Sequence, residues 1–502
     1  MTETSLKVEK PVSDDEARLA ALGQEQAMGR HFNVWSLIFL AFCTSVTWEA
    51  LTSTMAQSLQ SGGSSSLVWG FFAAAIGALS IALCLSEFAS MVPTAGGQYH
   101  YVAALSPLKY RRLLSWIAGW ATIWSWILSA LMGIFSNAMR LQAYIILFNP
   151  GYTAERWHTS MLVIAFTTCF LGINVLGTRW LHRLTFLGIV LHIAGYVTII
   201  VYLLVKVYPK NSATSAVGLI NWDSATHMAE EMQNASRDLP RVLWGCVALS
   251  GIITFPWVIA LAFCLTDIEG LLNGPVGMTC PLVQLVYNVS GGDQAMTIGI
   301  TFFFLFLGFF VGGPGCLAAS SRVIWSFARE GGLPEAFSRV HKRQEVPVNA
   351  LILSWFCISA LCLIYIGNET AYYGIGSGVT VIMIFSYAMP IFLRLIYGFK
   401  NTNLEMGPFT LGSWSLPINI FAACWSTYLI IFLCFPTRMP VNEVNMNYSP
   451  LIFGACLLIT AVTWMAYGRR GYLGVLAEEV TPGAPAPQEE SVVDYVEAKK
   501  QG

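Results

Sequence analysis

The stretch LLSWIAGWATIWSWILSALMGIFSNAM, residues 113–139, holds no Asp, Glu, Lys or Arg and follows directly on Arg111 and Arg112. A bilayer's hydrocarbon core takes about 20 apolar residues wound as an α-helix, so this stretch reads as a membrane crossing with a basic flank. Ten further runs of the same kind occupy residues 32–59, 67–86, 159–178, 184–205, 242–266, 295–321, 346–368, 370–393, 417–437 and 448–468, the first interrupted only by Glu49. The chain of 502 residues is 55% hydrophobic and 11% charged, whereas about a quarter of residues carry charge in soluble proteins. Length alone would suggest roughly three soluble domains. The runs point instead to one intramembrane bundle over 32–470, with a cytoplasmic tail at 1–31 and a disordered cytoplasmic tail at 471–502. Lys and Arg number 27 against 28 Asp and Glu, which leaves no basic surface for nucleic acid.

Of the 12 cysteines only Cys280 falls outside the apolar runs. No C-x-x-C or other metal-ligand spacing occurs, so neither a disulfide framework, a metal site nor a cofactor is expected. Residues 1–30 contain Asp14, Asp15, Glu16 and Glu25, unlike the basic, apolar start of a cleaved secretory signal. The first run is expected to act as its own insertion signal.

Orientation follows from the Lys/Arg bias of the connections. Lys109, Arg111 and Arg112, then Arg179 and Arg183, then Arg329, Arg339, Lys342 and Arg343, then Arg394 and Lys400, and finally Arg469 and Arg470 mark the cytoplasmic side. The opposite connections, near Ser61, Gly151, Cys280, Asn368 and Asn442, carry only Arg140, Arg156 and Arg438, and include the sequons at Asn288, Asn368 and Asn447. This scheme lacks one crossing. The fifth run must leave on the outer side near Lys206 and Lys210, yet the next begins after Arg237 and Arg241, a cytoplasmic flank. Between them the apolar core AVGLINW, residues 216–222, covers about a third of a span.

Three segments resemble the signatures of the amino acid, polyamine and organocation transporter superfamily: EFASMVPTAGGQYHYVAALSP at 87–107, DSATHMAEEMQNASRDLPR at 223–241 and SSRVIWSFAREGGLPEAFSRVHKRQEVPVNA at 320–350. FCTSVTWEALTSTMAQSLQSGG at 42–63 resembles the fungal amino acid/choline branch, with its GABA and choline permeases. The resemblance covers residues 22–470. It implies an all-α bundle of nominally twelve helices, ten of them in a five-plus-five inverted repeat, with the first and sixth broken at the midplane. In that family a largely apolar half-helix precedes the D-x-x-x-H-M-x-E-E motif. Here Trp222 stands directly before Asp223, so most of the first half of helix 6 is missing, at the place where the charge pattern lacks a crossing.

Glu49 is the one carboxylate inside an otherwise charge-free run, and an ionisable group in hydrocarbon costs at least about 2.5 kcal/mol. It is expected to face a cavity, either balancing a substrate ammonium group or holding two helices together. Thr44, Ser45, Thr47 and Trp48 beside it suit a helix break that frees backbone groups for a zwitterion. Trp120 and Trp124, one turn apart, form an aromatic wall for a cationic head group or pack as an interfacial belt. His192 is the titratable group of the fifth run, a proton-coupling candidate or a histidine hydrogen-bonded between helices. Asp223, His227, Glu230 and Glu231 lie at helical spacing. A metal site is the weaker reading of that strip because no second histidine is near in sequence. The resemblance places Asp223, Ser224 and His227 at the substrate site and Glu230 and Glu231 at an inner gate or in pairs with Arg237 and Arg241. Gly312, Gly313 and Gly315 flank Pro314, where the eighth helix either approaches the substrate closely or packs tightly on a neighbour.

Neither G-x-G-x-x-G nor a P-loop is present, and no His-rich cluster, nucleophile elbow or paired intramembrane acids suggest an enzyme. Two readings remain. One is a secondary transporter of amino acids or amines such as GABA or choline, driven by proton symport at the plasma membrane. The other is a transport-inactive truncated isoform or gene-model variant of such a permease.

Overall fold

The computed structural model describes residues 33–45, 47–176, 178–208, 222–232, 234–341, 343–400, 406–436, 440–442, 446–472 and 474. Eleven of the described helices are long and apolar enough to cross a membrane. They match the eleven charge-free runs one for one, and among the described residues His341 and Val346 form an isolated antiparallel bridge.

Helix α1 (Val34–Ser45) and helix α2 (Thr47–Met91) nearly abut. A straight helix of 45 residues would run about 68 Å, twice a bilayer core. It does not run straight. Trp48 near its start packs on Trp257, with ring centroids 4.7 Å apart, and Phe72 packs on Phe255 at 6.3 Å, so both lie level with the same turn of one neighbour. The chain therefore rises for about a dozen residues, roughly 18 Å, turns near residue 60 and descends. The outer connection expected as a loop near Ser61 is thus a bend in helical backbone, where Gly62 and Gly63 lower the cost of kinking.

The remaining crossings are α4 (Arg111–Phe148), α5 (Arg156–Val175), α6 (Thr178–Lys206), α7 (Ala235–Cys264), α10 (Gln294–Leu307) running on into α11 (Gly313–Arg329), α12 (Val348–Cys362), α14 (Glu369–Ile396), α15 (Ser415–Phe432) and α16 (Ser449–Thr463). Short helices α3 (Gln98–Leu105), α8 (Ile268–Leu272), α9 (Pro281–Val289) and α13 (Ile364–Gly367) lie between them. Exposed positions such as Phe186, Ile252, Phe356 and Leu458 are apolar, as a lipid-facing surface requires.

Contacts fix which ends share a side. Ser86, near the inner end of α2, donates to the Pro240 carbonyl at the start of α7 (3.1 Å), and Glu87 accepts from Ser415 at the start of α15 (2.7 Å). Arg112 at the start of α4 donates to the carbonyls of Arg469 and Tyr472 at the far end of the bundle. Because α1 leads upward into α2, Val34 lies on that same inner side. Eleven crossings cannot return the chain to the side it left. The twelfth must fall between Lys206, on the outer side, and Ala235, on the inner side.

The described part of that crossing is Trp222–Glu231, whose acids and histidine lie at α-helical spacing in sequence but which is wound as a tighter 3₁₀ helix of 10 residues. At about 2.0 Å rise per residue it extends roughly 20 Å, some 5 Å more than an α-helix of equal length, out of a core of about 30 Å. Asn234 follows in the left-handed region (φ 53°) and starts α7. The proposed absence of a half-helix concerns residues 209–221, which lie outside the described residues. Tags at the two termini should both be accessible from the cytoplasm. A C-terminal tag read on the outer face would mean that the chain inserts with eleven crossings.

The inner end of the bundle closes on Tyr472. Its ring is fully buried against Trp116 (5.2 Å between centroids) and Phe327 (5.3 Å), and its hydroxyl lies 2.8 Å from Ser115 Oγ. Burial holds the phenol well above its usual pKa, so it stays neutral.

Candidate functional site

The first crossing and the 3₁₀ segment of the sixth meet side by side. Thr44 Oγ1 lies 2.7 Å from Ser224 Oγ, and each is buried. The α1 turn at Thr44 and Ser45 is tied by its own hydroxyls, since Thr44 donates to the carbonyls of Leu40 and Ala41 and Ser45 to that of Ala41. Such back-bonding bends helices. The π-turn Gly308–Gly312 loosens the winding between α10 and α11 just before they pass this point. A β-carbon on Gly315 would fall 2.4 Å from Thr44 Cγ2, so it is Gly315 that lets α11 approach Thr44. Gly313 lies against the Phe170 ring of α5.

One turn beyond Thr44, Glu49 and His192 come together, with Glu49 Oε1 3.1 Å from His192 Nδ1 and both side chains buried. The Trp48 indole donates to the opposite ring nitrogen, Nε2, at 2.5 Å. Phe42, Tyr196, Trp257 and Phe304 complete the surroundings with ring contacts to Trp48 or His192. This aromatic enclosure was not legible at Trp120 and Trp124. Trp120 packs on Trp116 and Phe327 toward the inner end, and Trp124 on Trp120. Arg140 also departs from expectation. It is buried within α4 rather than in an outer connection, bonded to Asn137 Oδ1 at 2.7 Å and set over the Phe304 ring.

Beside Ser224 a second acid and histidine stand together. Asp223 Oδ2 accepts from Gln98 Nε2 at 2.7 Å and lies 3.5 Å from His227 Nε2, and all three residues are buried. Trp126 abuts the His227 ring, and Tyr387 of α14 lies beside Asp223. Gly97 holds φ +57°, and a β-carbon there would fall 2.6 Å from Thr226. The loop after α2 therefore reaches the 3₁₀ segment only because that residue is glycine.

Further inward, Glu230 takes a two-pronged bond from Arg329 (2.6 and 3.1 Å), and Glu231 pairs with the buried Arg322. These partners replace the expected Arg237 and Arg241, of which Arg241 pairs with Asp238 at 2.8 Å. The reason is direction. Glu230 and Glu231 face α11, whereas α7 turns away after Asn234. His100 pairs with Glu330 in the same layer, and Tyr99 lies 2.9 Å from Ser326 Oγ. The layer forms a charged seal between the site and the inner side. Among the described residues no group of three or more His, Cys, Asp and Glu side chains converges on a common point.

A family model for amino acid permeases matches residues 32–218 and 213–456. The chain belongs to that family. The permease is 31% identical to an uncharacterised amino-acid permease of Schizosaccharomyces pombe, over 92% of this chain and 90% of the relative. It is 29% identical to amino-acid permease 2 of Neurospora crassa (92% and 89% covered) and 27% identical to a choline transporter of Saccharomyces cerevisiae (94% and 88%). Family and fold together make the permease a multi-pass membrane transporter of the amino acid, polyamine and organocation type, not an enzyme.

Proposed function

We propose that this permease is a secondary active transporter of amino acids or related amines such as GABA or choline, coupled to proton symport and resident in the plasma membrane. The observation that carries the reading is the meeting of the first crossing with the 3₁₀ segment of the sixth at Thr44 and Ser224, with a buried carboxylate and histidine near each. Freed backbone groups near Thr44, Ser45 and Thr47 and the Ser224 hydroxyl would hold the polar end of a solute, while Glu49 and Asp223 supply negative charge for an ammonium group. His192 and His227 are the groups through which protons would enter the cycle. Glu230 and Glu231 would open the inner seal by leaving Arg329 and Arg322. The names of the Neurospora and yeast relatives support an amino acid or quaternary amine as cargo.

Purified protein in proteoliposomes, given a panel of labelled amino acids, GABA and choline with and without an imposed proton gradient, tests this. Saturable uptake that collapses with a protonophore is expected. Glu49→Gln should lower uptake of cationic solutes by about the strength of a charge-assisted hydrogen bond, roughly 1.5–3 kcal/mol, with membrane insertion unchanged. Equal loss of expression and uptake would assign Glu49 to holding α2 against α6 alone.

A second reading, a transport-inactive variant, is favoured by one observation. The family match is divided into two stretches that overlap at 213–218, within the interval where the sequence is short of a half-helix. No saturable uptake for any solute, from correctly inserted protein, would favour it.

A further inference from the structure

An indole N–H can only donate, and a neutral imidazole offers one lone pair and one N–H. Trp48 donates to His192 Nε2, so Nε2 presents its lone pair and the ring proton sits on Nδ1, the nitrogen 3.1 Å from Glu49 Oε1. A second proton on His192 would occupy Nε2 and break the bond to Trp48. A proton on Glu49 leaves the Trp48 bond in place, because a carboxylate oxygen gains an O–H while the imidazole keeps its single hydrogen. We propose that Trp48 is a positioning residue that locks the His192 tautomer and thereby makes Glu49, not His192, the proton carrier of the pair. This rests on the reading above that the pair takes up the coupling proton.

The surroundings agree with this division of labour. Aromatic rings enclose the pair, with Phe42 from α1 against His192 and Tyr196 from α6, Trp257 from α7 and Phe304 from α10 against Trp48. The other titratable or charged groups facing the pair are Cys43 of α1, Arg140 of α4 and Tyr196 of α6. Arg140 is the cation among them. Proton uptake at Glu49 leaves Asp223 as the carboxylate that meets the ammonium group of a solute. The Trp48 bond to His192 also ties the first crossing to α6 in both protonation states.

Infrared difference spectra of the purified full-length protein on acidification, taken without any solute, test the assignment. The wild-type protein should gain a carbonyl-stretch band of a protonated carboxyl group that is lost in Glu49→Gln and kept in His192→Gln. In Trp48→Phe, which keeps the ring and removes the donor, Nε2 is released; the Glu49 band should vanish and imidazolium bands appear, and Trp48→Phe combined with His192→Gln should restore the carboxyl band. A wild-type spectrum with imidazolium bands and no band sensitive to Glu49→Gln would overturn the proposal, as would a Trp48→Phe spectrum identical to wild type. If Trp48→Phe does not fold, the two single variants at Glu49 and His192 still decide which residue takes the proton. The spectra need no transport, so a failure of uptake and a failure of this assignment are told apart.

Discussion

Insertion of an apolar half-helix between Val217 and Asp223 is expected to raise solute uptake by about a hundredfold or more. In alternating access the first and sixth crossings each present a broken end to one solute, and half-helix termini and unwound backbone supply charge complementarity. Two backbone hydrogen bonds to a charged solute group, at roughly 1.5–3 kcal/mol each, set that scale, since about 1.4 kcal/mol is tenfold. The 3₁₀ winding of Trp222–Glu231 bears on the same question from the other direction. Its added length carries the chain through more of the bilayer than ten α-helical residues would, but it brings Asp223, Glu230 and Glu231 with it. Those acids are held by Gln98, Arg329 and Arg322 and are not free to serve as an outer wall. Initial rates of uptake by the unaltered and restored chains, reconstituted at equal density, check the prediction; equal rates would show that the short crossing suffices.

The second large effect is structural. Arg322→Ala should destabilise the folded permease by roughly 3–5 kcal/mol, because Glu231 would remain fully buried without its cation. Arg329→Ala should cost clearly less. Its guanidinium is partly exposed, so water can replace it beside Glu230. Thermal unfolding in detergent should separate the two variants, and replacing Arg322 and Glu231 together by Met should recover most of the loss, since a well-packed apolar pair no longer strands a charge. Equal melting of the two single variants would mean that the buried pair contributes no more than the rim pair.

The crossings were legible because a bilayer imposes a length and an apolar composition on each of them, and the eleven runs reappear as helices. The order of inner and outer ends was legible from Lys and Arg for a similar reason. Side-chain partners were not. Whether Glu230 meets Arg241 or Arg329 depends on the direction of α7 after Asn234, a left-handed residue that no periodicity announces. Among the glycines flanking Pro314, the π-turn before α11 rotates Gly315 toward Thr44 and leaves Gly313 on Phe170. Arg140 looked like a loop residue because it closes a charge-free run, yet α4 continues to Phe148 and draws it inside. Glu49 and His192 were each legible as intramembrane titratable groups. That they face one another, with Trp48 behind, is tertiary information.

The contact between Tyr472 and Ser115 joins positions 357 residues apart. During synthesis the third crossing is finished long before Tyr472 leaves the ribosome, so Trp116 and Phe327 have no cover on that face until translation has passed the final crossing. A nascent chain that stops early exposes a buried aromatic surface at that end of the bundle, the kind of apolar patch that chaperones and degradation factors bind. The bundle thus carries its own mark of completion, one that only a chain read through to Tyr472 can hide.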